Sequence, residues 1–164
     1  MNIYLLGMPC SGKSTLGIKL AKKLNYEFID MDSYIEKKAC MFIDEMFELY
    51  GEKYFRDLET SVLEELSKKD NLVISTGGGI IKNKNHKDIM KNGKCVYLYV
   101  PVEILQKRLE NSYERPLLKT KPVIALYNER KELYEYFMDI KVLNLDIDKS
   151  IEEIMEKIKW LKRY

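Results

Sequence analysis

The nine residues GMPCSGKST, 7–15, carry the strongest chemical signature in the chain. Their spacing is G-x-x-x-x-G-K-[ST]. An apolar run, NIYLL (2–6), precedes them, and a helical pattern, LGIKLAKKL (16–24), follows. Glycines let a backbone curl around a phosphate and aim successive N–H groups inward. A helix that begins at Lys13–Ser14 turns its positive end toward the same anion. Lys13 supplies a point charge for β- and γ-phosphates, and the Ser14 hydroxyl is placed to ligate Mg²⁺. Cys10, Ser11, Gly12, Lys13, Ser14 and Thr15 are therefore expected to hold a nucleoside triphosphate. Cys10 itself reads as a small residue at a loop position rather than a redox centre, since no resolving cysteine lies nearby in the sequence.

Three further features belong where a phosphate acceptor would sit. FIDMD (28–32) ends a strand-like run with Asp30 and Asp32. One of these carboxylates suits metal-bound water and the other an acceptor hydroxyl. Asp32 or Ser33 also suits the N-cap of a following helix. STGGGI (75–80) ends another strand-like run with Gly77, Gly78 and Gly79 in succession. Three glycines are costly unless the backbone approaches something closely, and backbone contact with a small ligand is expected there. Arg56 (YFRDLE), Arg115 (ERPLL) and Arg130 (NERKELY) stand out in a lysine-rich chain. A guanidinium fork matches a carboxylate or phosphate in a way that an ammonium does not.

Elements able to position these residues follow from the pattern. NIYLL (2–6), YEFID (26–30), LVIST (72–76), CVYLYV (95–100) and KVLNL (141–145) read as short buried strands. Helical periodicity fills 16–24, 33–69, 102–110, 123–137 and 151–164. Strands alternating with helices predict a parallel sheet covered on both faces, with ligands at the strands' C-terminal ends. The stretch 33–69 is too long for one crossover helix, and Gly51 is expected to break it into two or three. Residues 111–122, bracketed by Pro116 and Pro122, lack periodicity and read as a loop.

The 164 residues suit one domain, with 46% hydrophobic and 33% charged residues. A net charge of +2 argues against a nucleic-acid or membrane-surface partner. The doublets Lys22–Lys23, Lys37–Lys38 and Lys68–Lys69 read as solvated helix faces. Cys10, Cys40 and Cys95 have no metal-ligand spacing, and Cys95 reads as a buried small hydrophobe. No targeting segment or membrane span is recognisable, so a cytoplasmic protein is expected. His86, in KNKNHKD, reads as a surface residue without a catalytic part.

Taken together, GMPCSGKSTLG, DMD, FRDLE, STGGG and RPLL resemble shikimate kinase, a small P-loop kinase of the nucleoside-monophosphate-kinase type. They occur in that family's order over nearly the whole chain. The resemblance implies an α/β three-layer P-loop fold: a five-stranded parallel sheet with helices on both faces, a small helical substrate lobe and a lid. Residues 1–164 would form one kinase domain, with the lobe at about 33–60 and the lid at about 110–122. It implies transfer of the ATP γ-phosphoryl group to the 3-hydroxyl of shikimate by a monomer that uses Mg²⁺. Lys13, Asp32 and Arg115 would be catalytic. Asp32, Arg56, Gly77, Gly78, Gly79 and Arg130 would bind shikimate, the two arginines at its carboxylate. Ser14 would ligate the metal directly and Asp30 through water, with Ser75 close by. Arg108 and the stretch after Asp146 would lie near adenine, and Arg115 would reach the transferring phosphate. The family often has glycine where Cys10 stands. A gluconate or nucleotide kinase would share the loop but lack the FR-x-x-E, GGG and RPLL set. A non-catalytic nucleotide-binding relic would lack an acid or a lid arginine.

Overall fold

The computed structural model describes residues 1–110 and 122–161. Its elements run β1 (Ile3–Leu6), α1 (Lys13–Leu24), β2 (Glu27–Asp30), α2 (Met31–Ala39), α3 (Ile43–Ser67), β3 (Leu72–Ser75), a 3-10 turn (Ile80–Lys82), α4 (His86–Met90), β4 (Lys94–Tyr99), α5 (Val102–Glu110), α6 (Val123–Phe137), β5 (Ile140–Leu143) and α7 (Ile147–Leu161). The strands form one parallel sheet in the order β2-β3-β1-β4-β5. Chain direction across the sheet therefore reverses at β1, and the crevice at the C-terminal end of β1 is the switch point where such sheets bind ligands.

Both faces of the sheet are covered, which is why its central strands are apolar without interruption. Successive side chains of a strand point to opposite faces. Ile3 and Leu5 join Val73, Val96, Leu98 and Val142 on one face, against Leu16 and Leu20 of α1 and Ile151, Ile154 and Ile158 of α7. Tyr4 and Leu6 join Ile74 and Tyr97 on the other, against Met31, Ile35, Phe55, Leu63, Tyr134 and Phe137. Gly17 lets α1 close on the sheet: a Cβ there would stand 2.5 Å from the Phe28 ring.

Several boundaries differ from those expected. Helix α2 starts directly after β2, and its cap is Asp30, not Asp32 or Ser33: Asp30 Oδ1 accepts from the Ser33 N–H at 3.2 Å. Asp32 lies in the first turn, where a carboxylate favours the helix dipole. The 33–69 stretch divides at 40–42 and kinks again at Gly51, whose φ of 83° and ψ of 172° leave the helix. The region 80–90 holds a 3-10 turn and a five-residue helix too short to show a period. The last helix starts at 147, earlier than its apolar period. The lysine doublets are exposed and Cys95 is buried, as expected; burial pushes the Cys95 thiol up to about 12. His86 departs from expectation. It is 1% exposed, because α4 packs it under the glycine turn against α3.

Candidate active site

The loop after β1 begins with Gly7 at φ 153° and ends with Gly12 at φ 91°, which serves as N-cap of α1. Between them Cys10 takes φ 61°, a left-handed conformation that costs a non-glycine residue roughly 1–2 kcal/mol. No side chain caps α1 and no acid lies in its first turn, so its first N–H groups are left for an anion. Two residues distant in sequence fasten the loop's carbonyls. Arg108 Nη1 donates to Cys10 O at 3.0 Å, and Asn144 Nδ2 donates to Ser11 O at 2.7 Å. Lys13 is buried and its Nζ donates to Gly7 O and Met8 O at 2.8 and 3.0 Å. A cleft of about 420 Å³ opens beside it, lined among others by Ser14, Thr15, Asp32, Gly78, Leu145 and Ile147.

At the mouth of β2 and β3, hard oxygen donors converge. The Ser14 hydroxyl donates to Asp30 Oδ2 at 2.7 Å, and its oxygen lies 3.4 Å from Ser75 Oγ. One carboxylate and two hydroxyls with no sulfur or imidazole suit Mg²⁺, which usually takes one or two carboxylates and completes its shell with phosphate and water.

Deeper in, the three glycines each meet a charged side chain. A Cβ on Gly77 would stand 3.0 Å from both Asp32 Oδ1 and Glu59 Oε1. On Gly78 it would stand 3.0 Å from Arg130 Nη1, and on Gly79 it would stand 2.5 Å from Arg56 Nη2. None of these three glycines has a positive φ. Their smallness, not their backbone freedom, is what the site uses. The turn is thereby ringed by two carboxylates and two guanidinium groups drawn from α2, α3 and α6.

These four groups differ in how they are satisfied. Arg56 Nη1 donates to Glu59 Oε2 at 2.8 Å and its Nε to Glu52 Oε1 at 3.3 Å. Glu59 is 1% exposed; burial holds its carboxyl above the ordinary range, the Arg56 charge and hydrogen bond oppose this, and Asp32 adds to it. Among the described residues its Oε1 has no hydrogen-bond partner. Arg130 is also 1% exposed, and among the described residues none of its three nitrogens makes a hydrogen bond of good geometry, the Tyr134 hydroxyl being the polar group it interacts with. Tyr134, one helical turn further along α6, donates its hydroxyl to Gly78 O at 2.7 Å; burial pushes that phenol up to about 12, against the nearby Arg130 cation.

Lys13, Ser14, Asp30, Asp32, Gly78 and Arg108 thus line the cleft, and Arg56, Gly77, Gly79 and Arg130 meet at the glycine turn beside it. Arg115 lies outside the described residues. Tyr134 and Asn144 join the site without having been singled out, as does Glu59, which the sequence offered only as the acid of FR-x-x-E with no role of its own. Glu59 sits three residues after Arg56 and Tyr134 four after Arg130, on the same helix faces, and that spacing is the signal that could have found them. Asn144 has no local signal, being 133 residues from its loop partner.

The family model described as shikimate kinase matches residues 9–161. The chain belongs to the shikimate kinase family. A curated shikimate kinase from Clostridium botulinum is 46% identical, with 96% of each chain covered. One from Aquifex aeolicus is 43% identical over 96% of this chain and 94% of its own. A solved shikimate kinase from Acinetobacter baumannii, in complex with shikimate, superposes with a TM-score of 0.91 at 36% identity, covering 98% and 94% of the two chains. Likeness to a shikimate kinase thus spans the glycine turn and both arginine-bearing helices as well as the phosphate loop.

Proposed function

We propose that the chain transfers the γ-phosphoryl group of ATP to the 3-hydroxyl of shikimate, giving shikimate 3-phosphate and ADP, on the route to aromatic amino acids. One observation carries the choice of acceptor. Arg130 is an always-charged fork, fully buried beside the glycine turn, and among the described residues no carboxylate hydrogen-bonds to it. Such a group is costly until an anion reaches it. Arg56 faces the same turn, so a carboxylate held between the two forks would be the acceptor's anchor. Asp32, Gly78 and Gly79 would then meet its hydroxyls, with Gly77 giving Asp32 room.

In this reading the loop 10–15 and Arg108 bind ATP, with Leu145 and Ile147 beside the adenine. The transition state of phosphoryl transfer is loose and anionic, so positioning and charge stabilisation do most of the work. Lys13 would exchange its bonds to Gly7 O and Met8 O for phosphate oxygens. The acceptor oxygen forms the new P–O bond as the bond to ADP breaks, and its proton passes to Asp32 late in the step. Ser14 and Asp30, the latter through water, would hold Mg²⁺, which neutralises phosphate charge when bound. Arg115, on a lid at about 110–122, would complete the charge clamp and exclude water. The whole chain would act as a single kinase domain, with its substrate lobe at about 33–60. A cytoplasmic monomer without a nucleic-acid partner fits the modest net charge. Among the described residues no helix is long and apolar enough to cross a membrane.

ADP release from ATP and Mg²⁺, coupled to a detecting enzyme, tests this. Shikimate is compared with gluconate, nucleoside monophosphates and no acceptor. Dependence on shikimate alone is expected; release with another acceptor would discard the carboxylate clamp, and no release with any would favour a non-catalytic nucleotide binder.

Gly79→Ala gives a finer check. The three atoms nearest to its Cβ would all belong to the Arg56 guanidinium, the flexible end of a long side chain. The fold should therefore survive with its Tm nearly unchanged, while the displaced fork raises the KM for shikimate about tenfold. A large fall in Tm with an unaltered KM would mean that Gly79 serves packing and not the acceptor.

A further inference from the structure

His86, the chain's only histidine, is buried and takes no part in the mechanism above. Both ring nitrogens are engaged. Nδ1 lies 2.7 Å from the Ile80 carbonyl oxygen and Nε2 lies 2.8 Å from Thr60 Oγ1. A carbonyl oxygen only accepts, so Nδ1 bears a proton. Burial holds the imidazole below its ordinary titration range; the Ile80 bond and Glu64 oppose this, and Arg56 reinforces it. At neutral pH Nε2 is therefore bare and accepts the Thr60 hydroxyl proton. That hydroxyl also donates to the Arg56 carbonyl at 2.9 Å, using the lone pair the helical N–H leaves open, so its one proton is shared between Arg56 O and His86 Nε2.

The two ends of this bridge matter more than its middle. Ile80 directly follows Gly79, whose Cα closes on the Arg56 guanidinium. Thr60 directly follows Glu59 and lies one helical turn beyond Arg56. The bridge thus ties together the same two segments, α3 and the glycine turn, that make half of the acceptor site. From this geometry we infer that His86, protonated on Nδ1, is a positioning residue that holds the Gly77–Gly79 turn in register with Arg56 and Glu59. The inference rests on the acceptor reading given above.

Thr60→Val cuts the bridge while keeping the side chain's shape, and Thr60→Ser keeps it. Thr60→Val is expected to raise the KM for shikimate about fivefold, with the KM for ATP unchanged and kcat altered less; Thr60→Ser should restore the wild-type KM. In ¹⁵N-labelled wild-type protein the single histidine gives one pair of ring nitrogens, expected at pH 7 as a protonated Nδ1 and a bare Nε2. A proton on Nε2 alone would overturn the inference. So would a Thr60→Val protein that loses thermal stability but keeps its shikimate KM at a temperature well below its Tm, or one in which both KM values rise equally. If the wild-type chain uses a different acceptor, the acceptor reading fails, and the same comparison on that acceptor decides for or against His86.

Discussion

Arg130→Met is expected to raise the KM for shikimate about 100-fold or more, yet to leave the Tm of the free protein unchanged or raised. The two halves of this expectation have one cause. In the free protein the guanidinium is buried without a hydrogen bond of good geometry among the described residues, and the charge of Glu59 across the turn offsets it in part. Replacing a buried charge that lacks a direct ion pair by an apolar chain of similar volume is often neutral or stabilising, and Glu59 keeps its bond to Arg56. An acceptor carboxylate changes the sign, because a charge-assisted fork in a dry site is a strong interaction and its loss leaves the carboxylate stranded. Shikimate should accordingly raise the Tm of the wild-type protein and not that of the variant. Kinetics and thermal shifts on both proteins check this. A variant with a Tm several degrees lower and an unchanged KM would make Arg130 a core residue and remove the observation on which the acceptor was chosen.

Lys13→Met should lower kcat about a thousandfold or more, with shikimate binding by calorimetry little altered. The lysine is placed for phosphate, yet here it donates to Gly7 O and Met8 O. These bonds keep the buried ammonium satisfied and the loop curled before a nucleotide arrives. The substitution should therefore also lower stability modestly, by about 1–3 kcal/mol. Turnover at the wild-type rate would sink the phosphate-loop assignment whatever the change in Tm.

The phosphate loop and the order of strands and helices were legible before the fold. A loop that wraps a phosphate needs its glycines, lysine and hydroxyl within a few consecutive residues, so their spacing is the site. A buried parallel sheet needs short apolar runs separated by helical periods, and β1, β4, α5 and α6 fell close to where the pattern put them. Cys10 was legible as a departure, though only its φ of 61° says what the departure costs.

The acceptor site was legible only as separate fragments. Asp32, Arg56, Gly77–Gly79 and Arg130 lie on four segments, and no local rule says that they meet. Glycine in a triplet suggested a ligand; the tertiary structure shows that each glycine makes room for a particular charged side chain. Helix boundaries at Asp30 and Ile147 shifted because a cap and a packed turn outweigh the apolar period. Sequence by itself thus determined which chemistry is present, since the phosphate loop and the strand–helix alternation are local in the chain. Only the tertiary structure decided which polar groups are buried, paired or left open. Burial and pairing depend on partners brought from tens of residues away: Arg130 came to lie buried under Gly78, and His86, outwardly a surface residue, between Thr60 and Ile80.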